Sequence, residues 1–165
     1  MILYHFTQLS FICPELAPCE IDVSNLTLEP RYADGLEGRG MPKVVWLTTD
    51  PDPGGPAKPN TNGGNYCFPR IKLVIPTADR RLRHWPKWRK RHVGAQLRSE
   101  MIAMFIKEGH DPAAIEQKQE AWWMYFGSIP GSRIKAIDMM YDTSPWWECG
   151  DEMSHLGQDG GSAAS

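Results

Sequence analysis

Two short, strand-like runs carry the groups best suited to hold a small molecule. Leu3-Tyr4-His5-Phe6-Thr7 places one imidazole among aromatic and branched neighbours, and Val44-Val45-Trp46-Leu47-Thr48-Thr49-Asp50 places an indole ahead of two hydroxyls and a carboxylate. A histidine inside an apolar strand is either a core residue satisfied by backbone or a hydrogen-bonding group on the floor of a pocket. Aromatic walls with a few fixed polar groups are the ordinary composition of a small-molecule site.

A second constellation runs from Arg80 to His92. It holds seven of the 18 Lys and Arg residues and no acid, interleaved with Trp85 and Trp88. The remainder of the chain is left with eleven basic residues against 20 acidic ones, although the formal net charge is only −2. Cations alternating with indoles suit phosphates and stacked bases, with Arg83, Lys87, Trp88, Arg89, Lys90 and Arg91 as the candidate nucleic-acid contacts. A solvated basic turn with two core tryptophans is the alternative, and a guanidinium clamp on a pyrophosphate is a third. The four cysteines lack the paired spacing of zinc knuckles, so no metal site is expected, and Cys149 with His155 is the weak exception.

The elements that must position these groups follow from pattern and punctuation. At 165 residues, 41% hydrophobic and 23% charged, the chain reads as one globular domain over 1–156 with a disordered Gly/Ser-rich tail over 157–165. Strands are expected at 2–7, 43–48, 70–76, 122–127 and 133–141. Pro and Gly crowd 50–65, a lid-like breaker segment. Leu97, Met101, Met104 and Phe105 fall at helical spacing within 94–109. Asp111-Pro112 reads as an N-cap with Pro at the first helical position of a helix ending at Gln119. Trp122 and Trp123, being adjacent on a strand, should face opposite sides. Short strands among few helices predict an α+β fold on a mixed, largely antiparallel split sheet. No basic n-region or long apolar run marks a signal peptide or membrane span, so the expectation is a cytoplasmic protein of a bacterium or infected host cell that does not meet a membrane.

The order of these runs resembles the ADP-ribosyltransferase superfamily. Leu-Tyr-His-Phe-Thr is similar to the opening strand of its small bacterial and phage members, and Val-Val-Trp-Leu-Thr-Thr-Asp resembles the second motif, whose aromatic residue flanks the nicotinamide pocket. Ile-Pro-Gly-Ser-Arg-Ile-Lys-Ala-Ile-Asp, starting at Ile129, resembles the closing strand. The likeness touches about a third of the chain. It implies NAD as substrate, with His5 on a ribose, Thr7 supporting it, and Trp46 with Thr48 beside the nicotinamide. The family's third motif is acidic and falls best on Glu120, with Glu116 as runner-up. Phe6 stands where several members carry Gly, and Trp46 where many carry Tyr.

Transfer of ADP-ribose breaks a glycosidic bond through an oxocarbenium-like state. A carboxylate held beside that charge stabilises the transition state more than the ground state. The resemblance therefore implies Glu120 and His5 as catalytic residues of an NAD-binding transferase that modifies a nucleic acid or protein. Two alternatives stand beside it: a non-catalytic module that captures a nucleotide or a partner, and a nucleic-acid-binding protein with a structural His5.

Overall fold

The computed structural model describes residues 1–7, 22–33, 35–51, 67–107 and 111–141. The breaker segment falls mainly, and the tail wholly, outside the described residues, as do Cys149 and His155. The architecture is α+β. Strands β1 (Ile2–Phe6), β3 (Val45–Thr48), β4 (Cys67–Val74), β5 (Leu82–His84), β6 (Trp122–Tyr125) and β8 (Ile134–Tyr141) form one sheet in the order β5-β6-β3-β1-β4-β8. Each pairing in it is antiparallel. A second, two-stranded sheet joins β2 (Thr27–Leu28) to β7 (Ile129–Pro130). The helices are α1 (Trp85–His92), α2 (Ala95–Lys107) and α3 (Pro112–Gln119). Among the described residues no helix is long and apolar enough to cross a membrane.

β1 sits between β3 and β4 with one face covered, while Ile2 on the other face stays exposed. Leu3 is fully buried and packs with Val45, Leu47, Ile71, Leu73 and Tyr125, under a cover that includes Leu28 and Ile129. The opposite face of the β3–β6 half carries Val44, Trp46, Trp122 and Met124, packed with Trp85, Val93 and Met101 from the helical side. Trp122 and Trp123 divide between these two layers, as strand alternation requires.

Local chemistry explains the helices. The Asp111 carboxylate accepts the Ala114 N–H at 3.1 Å, and Pro112 occupies the first turn of α3, where its missing N–H costs nothing. Ile115 and Gln119, one turn apart, point inward. In α1 the four basic residues Arg89, Lys90, Arg91 and His92 fill the last turn, at the negative end of the helix dipole. This helix and β5 form where the sequence reading has only a basic segment.

Candidate functional site

His5 is the best-defined polar group of the sheet. Its ring Nδ1 lies 2.8 Å from the carbonyl oxygen of Trp46 on the neighbouring strand. A carbonyl can only accept, so Nδ1 carries the proton and, in the neutral ring, Nε2 keeps its lone pair. Burial pushes the imidazole pKa below its ordinary 6.5, the bond to Trp46 works against that shift, and the charge of Arg31 adds to it. The ring is therefore a neutral acceptor near pH 7 with a fixed tautomer.

Register decides what shares its face. Tyr4 stands opposite Thr48, which sets Leu47 across from His5, and Leu47 in turn faces Trp123, which faces His84. His84, Trp123, Leu47 and His5 thus form one row across four strands, with Ile71 next beyond His5. Trp123 is half-buried, and the His84 ring leans on it at 4.7 Å between centroids. His84 Nε2–H donates to the Glu120 carbonyl at 2.8 Å, the mirror of the tautomer fixed in His5.

Trp46 is not part of that row. It lies on the opposite face, edge-to-face with Trp85 at 5.1 Å and with Trp122 at 5.9 Å, and its buried indole nitrogen has no hydrogen-bond partner among the described residues. Only its carbonyl reaches His5. Thr48 shares the Trp46 face and is buried, its hydroxyl accepting the Asp50 N–H at 3.0 Å. The aromatic residues of β6 on the His5 face are Trp123 and Tyr125, of which Trp123 is half-buried and Tyr125 buried. Thr7, just beyond β1, is buried, with its N–H donating to the Pro69 carbonyl at 3.3 Å.

Glu120 caps the C-terminal end of α3, and its side chain is exposed; Glu116 is also exposed, on the same helix. Glu120 lies in the turn before β6, and β6 is two strands from β1, about 10 Å across the sheet. The fold does not place this carboxylate beside His5. It lies instead toward the Thr49–Asp50 end of β3, where Ala121 accepts the Thr49 N–H and Lys118 pairs with Asp50 at 3.0 Å.

The basic segment resolves into distinct environments. Trp85 is fully buried. Trp88 is half-buried, sandwiched between Trp85 at 6.0 Å and His92 at 4.6 Å, so neither ring face is open for a base. Arg89 turns inward to the Gln119 side-chain oxygen and over the Trp85 ring. Arg83, Lys87, Lys90 and Arg91 are exposed, and none of the four makes an ion pair among the described residues.

A further polar group ties the loop before β5 to β6 and to the turn before β8. The backbone N–H of Arg81 holds the Asp79 carboxyl below its usual range, helped by the Arg81 side chain and the Tyr125 hydroxyl, while burial works the other way. Tyr125 is raised, first by burial and then by Asp79. Its hydroxyl donates to Asp79 at 3.1 Å, and Arg133 approaches the same carboxylate at 3.8 Å. This cluster reads as a structural clasp.

Comparison of the chain with protein-family models, with curated proteins and with solved structures finds no match.

The His5 shift has a stability consequence whose sign is fixed. The unfolded chain takes up its proton near pH 6.5, the folded one only at lower pH, so between the two values the unfolded state binds more protons. Stability is accordingly full above pH 6.5 and falls as the pH drops toward the folded value. Urea titrations of the parent and of His5→Gln at pH 7.5 and pH 5 check this, since the variant should lose less stability on acidification. An equal loss in both would assign the acid sensitivity to other groups.

Proposed function

We propose that the chain binds an NAD-type nucleotide over the face of the sheet that carries His5. The observation that supports this reading best is the locked imidazole. Nδ1 is committed to the Trp46 carbonyl, so Nε2 is a fixed acceptor suited to a ribose hydroxyl, and burial keeps it neutral. Trp123, half-buried in the same row, offers an aromatic surface to a nicotinamide or adenine ring. The likeness of Leu3–Thr7 and Val44–Asp50 to ADP-ribosyltransferase motifs supports the same ligand.

Calorimetry tests the binding directly. NAD should bind in the micromolar to millimolar range, roughly −8 to −4 kcal/mol. His5→Ala should weaken it by at least tenfold, about 1.4 kcal/mol, while thermal melts remain cooperative. Absence of NAD binding by the folded parent would overturn the reading.

Turnover is the more demanding form of the proposal. ADP-ribosyl transfer to a nucleic acid or protein acceptor would draw on Glu120 to stabilise developing positive charge on the ribose. The exposed carboxylate, set apart from His5, favours the second form, capture of the nucleotide without turnover. Nicotinamide release separates them. A transferase should release it in the parent and at least tenfold more slowly in Glu120→Gln with NAD affinity retained. A capturing module should release none.

A further inference from the structure

Trp85, Trp88 and His92 recur at i, i+3 and i+7 along α1 and therefore rise on one side of the helix. Their rings form a continuous stack, with Trp85 and Trp88 inclined by 23° at 6.0 Å, and Trp88 and His92 by 12° at 4.6 Å. The stack begins in the core at Trp85, which is fully buried, passes through half-buried Trp88, and ends in solvent at His92. The His92 Nδ1–H donates to the Trp88 carbonyl at 2.9 Å, which pins the imidazole in that orientation. Lys87, Lys90 and Arg91, exposed and without ion pairs among the described residues, project from other sides of the same helix, which has no acid.

We propose that the solvent end of this column, together with the cations of the same helix, is a docking surface for single-stranded nucleic acid in which a base stacks on His92 and neighbouring phosphates meet the cations. An exposed planar ring on a rigid aromatic support gives a base a stacking partner that needs no further ordering. Every base has a π-face, so the contact is tolerant of sequence. Lys87, Lys90 and Arg91 supply the charge for the phosphates, whereas Arg89, held against Gln119 and Trp85, does not. An exposed flat ring on a helix that also carries these three cations fits a strand that presents a planar ring and a negative charge at every nucleotide. It fits less well a lipid surface, which has no planar ring, or an acidic peptide, which does not repeat the two together. The inference is independent of nucleotide binding at His5, and its test contains no NAD.

Anisotropy titrations would use a labelled oligothymidylate and oligouridylate of about a dozen nucleotides, with heparin as a polyanion that has no bases. Both oligonucleotides should bind, and the stronger of the two identifies DNA or RNA as the preferred source. Lys87→Ala/Lys90→Ala/Arg91→Ala should flatten the slope of log K against log salt by about two units. His92→Ala should weaken oligonucleotide binding at least tenfold, His92→Phe should restore it, and neither should change heparin binding. His92 is exposed, so melts of both variants should match the parent. No binding by the folded protein, equal affinity of His92→Ala and parent, or an equal loss of heparin binding would each overturn the proposal.

Discussion

Trp85→Ala is expected to lower the free energy of unfolding by about 3–5 kcal/mol, the cost of a large aromatic lost from a packed core. Trp85 has no exposed surface and touches Trp46 edge-to-face, Trp88 face-to-face and the Arg89 guanidinium. Removing it takes away the base of the α1 column and opens a cavity between that helix and the Trp46 face of the sheet. Trp85→Phe should cost clearly less than Trp85→Ala. The indole N–H of Trp85 is buried with no hydrogen-bond partner among the described residues, so the ring volume carries its contribution and the polar atom detracts from it. Trp88→Ala should fall between parent and Trp85→Ala, because Trp88 is only half-buried. Urea unfolding of the three variants orders these costs. A Trp85→Ala protein as stable as the parent would show that α1 does not pack on this sheet.

The elements that could be read from sequence were those whose signal is local. Alternation with branched and aromatic residues marks β1 and β3, and the Asp111-Pro112 pair marks the start of α3 within one residue. The α+β class follows from the order of such runs. α1 escaped because eight residues dominated by charge show no long apolar period, and Pro86 reads as a breaker although it sits harmlessly in the first turn. β5 is three residues long and has no period to show.

The site failed to assemble as expected for a different reason. The alternation within β1 and within β3 is legible, but the register between them is not, because it joins residues 44 apart in sequence. Tyr4 opposite Thr48 puts Leu47 with His5 and sends the Trp46 ring to the other side. A slip of one residue would have reversed that. The bond that joins His5 to Trp46 runs through a backbone carbonyl, which every residue type has, and so leaves no trace in composition.

Gly131→Ala is the second substitution expected to do heavy damage, and for a cause unrelated to turn conformation. Gly131 has no positive φ. A Cβ placed there would lie 1.9 Å from the Val23 carbonyl oxygen and 2.9 Å from that of Leu26. Both obstacles are backbone, and they belong to the 3-10 turn at Val23–Asn25 and the residue after it, immediately before β2. β2 pairs with β7 through Thr27–Pro130 and Leu28–Ile129, so the clash cannot be relieved by a rotamer change. The strap must lift from its partner. Leu28 and Ile129 form part of the cover over the His5 face, and lifting the strap exposes them. Overpacking a well-packed core costs about 1–3 kcal/mol where side chains can shift, and a backbone obstacle puts this substitution at about 3 kcal/mol or more. For a domain of this size that is a fall in Tm of about 6–12 °C. Gly38→Ala provides the contrast. Gly38 sits at φ +74° with none of the described residues within 4 Å of the added methyl, so its cost is the backbone strain, about 1 kcal/mol. Thermal melts of the two variants distinguish contact from conformation. If Gly131→Ala melts no lower than Gly38→Ala, the close approach of residues 23–26 to Gly131 is wrong, and with it the way the His5 face is covered.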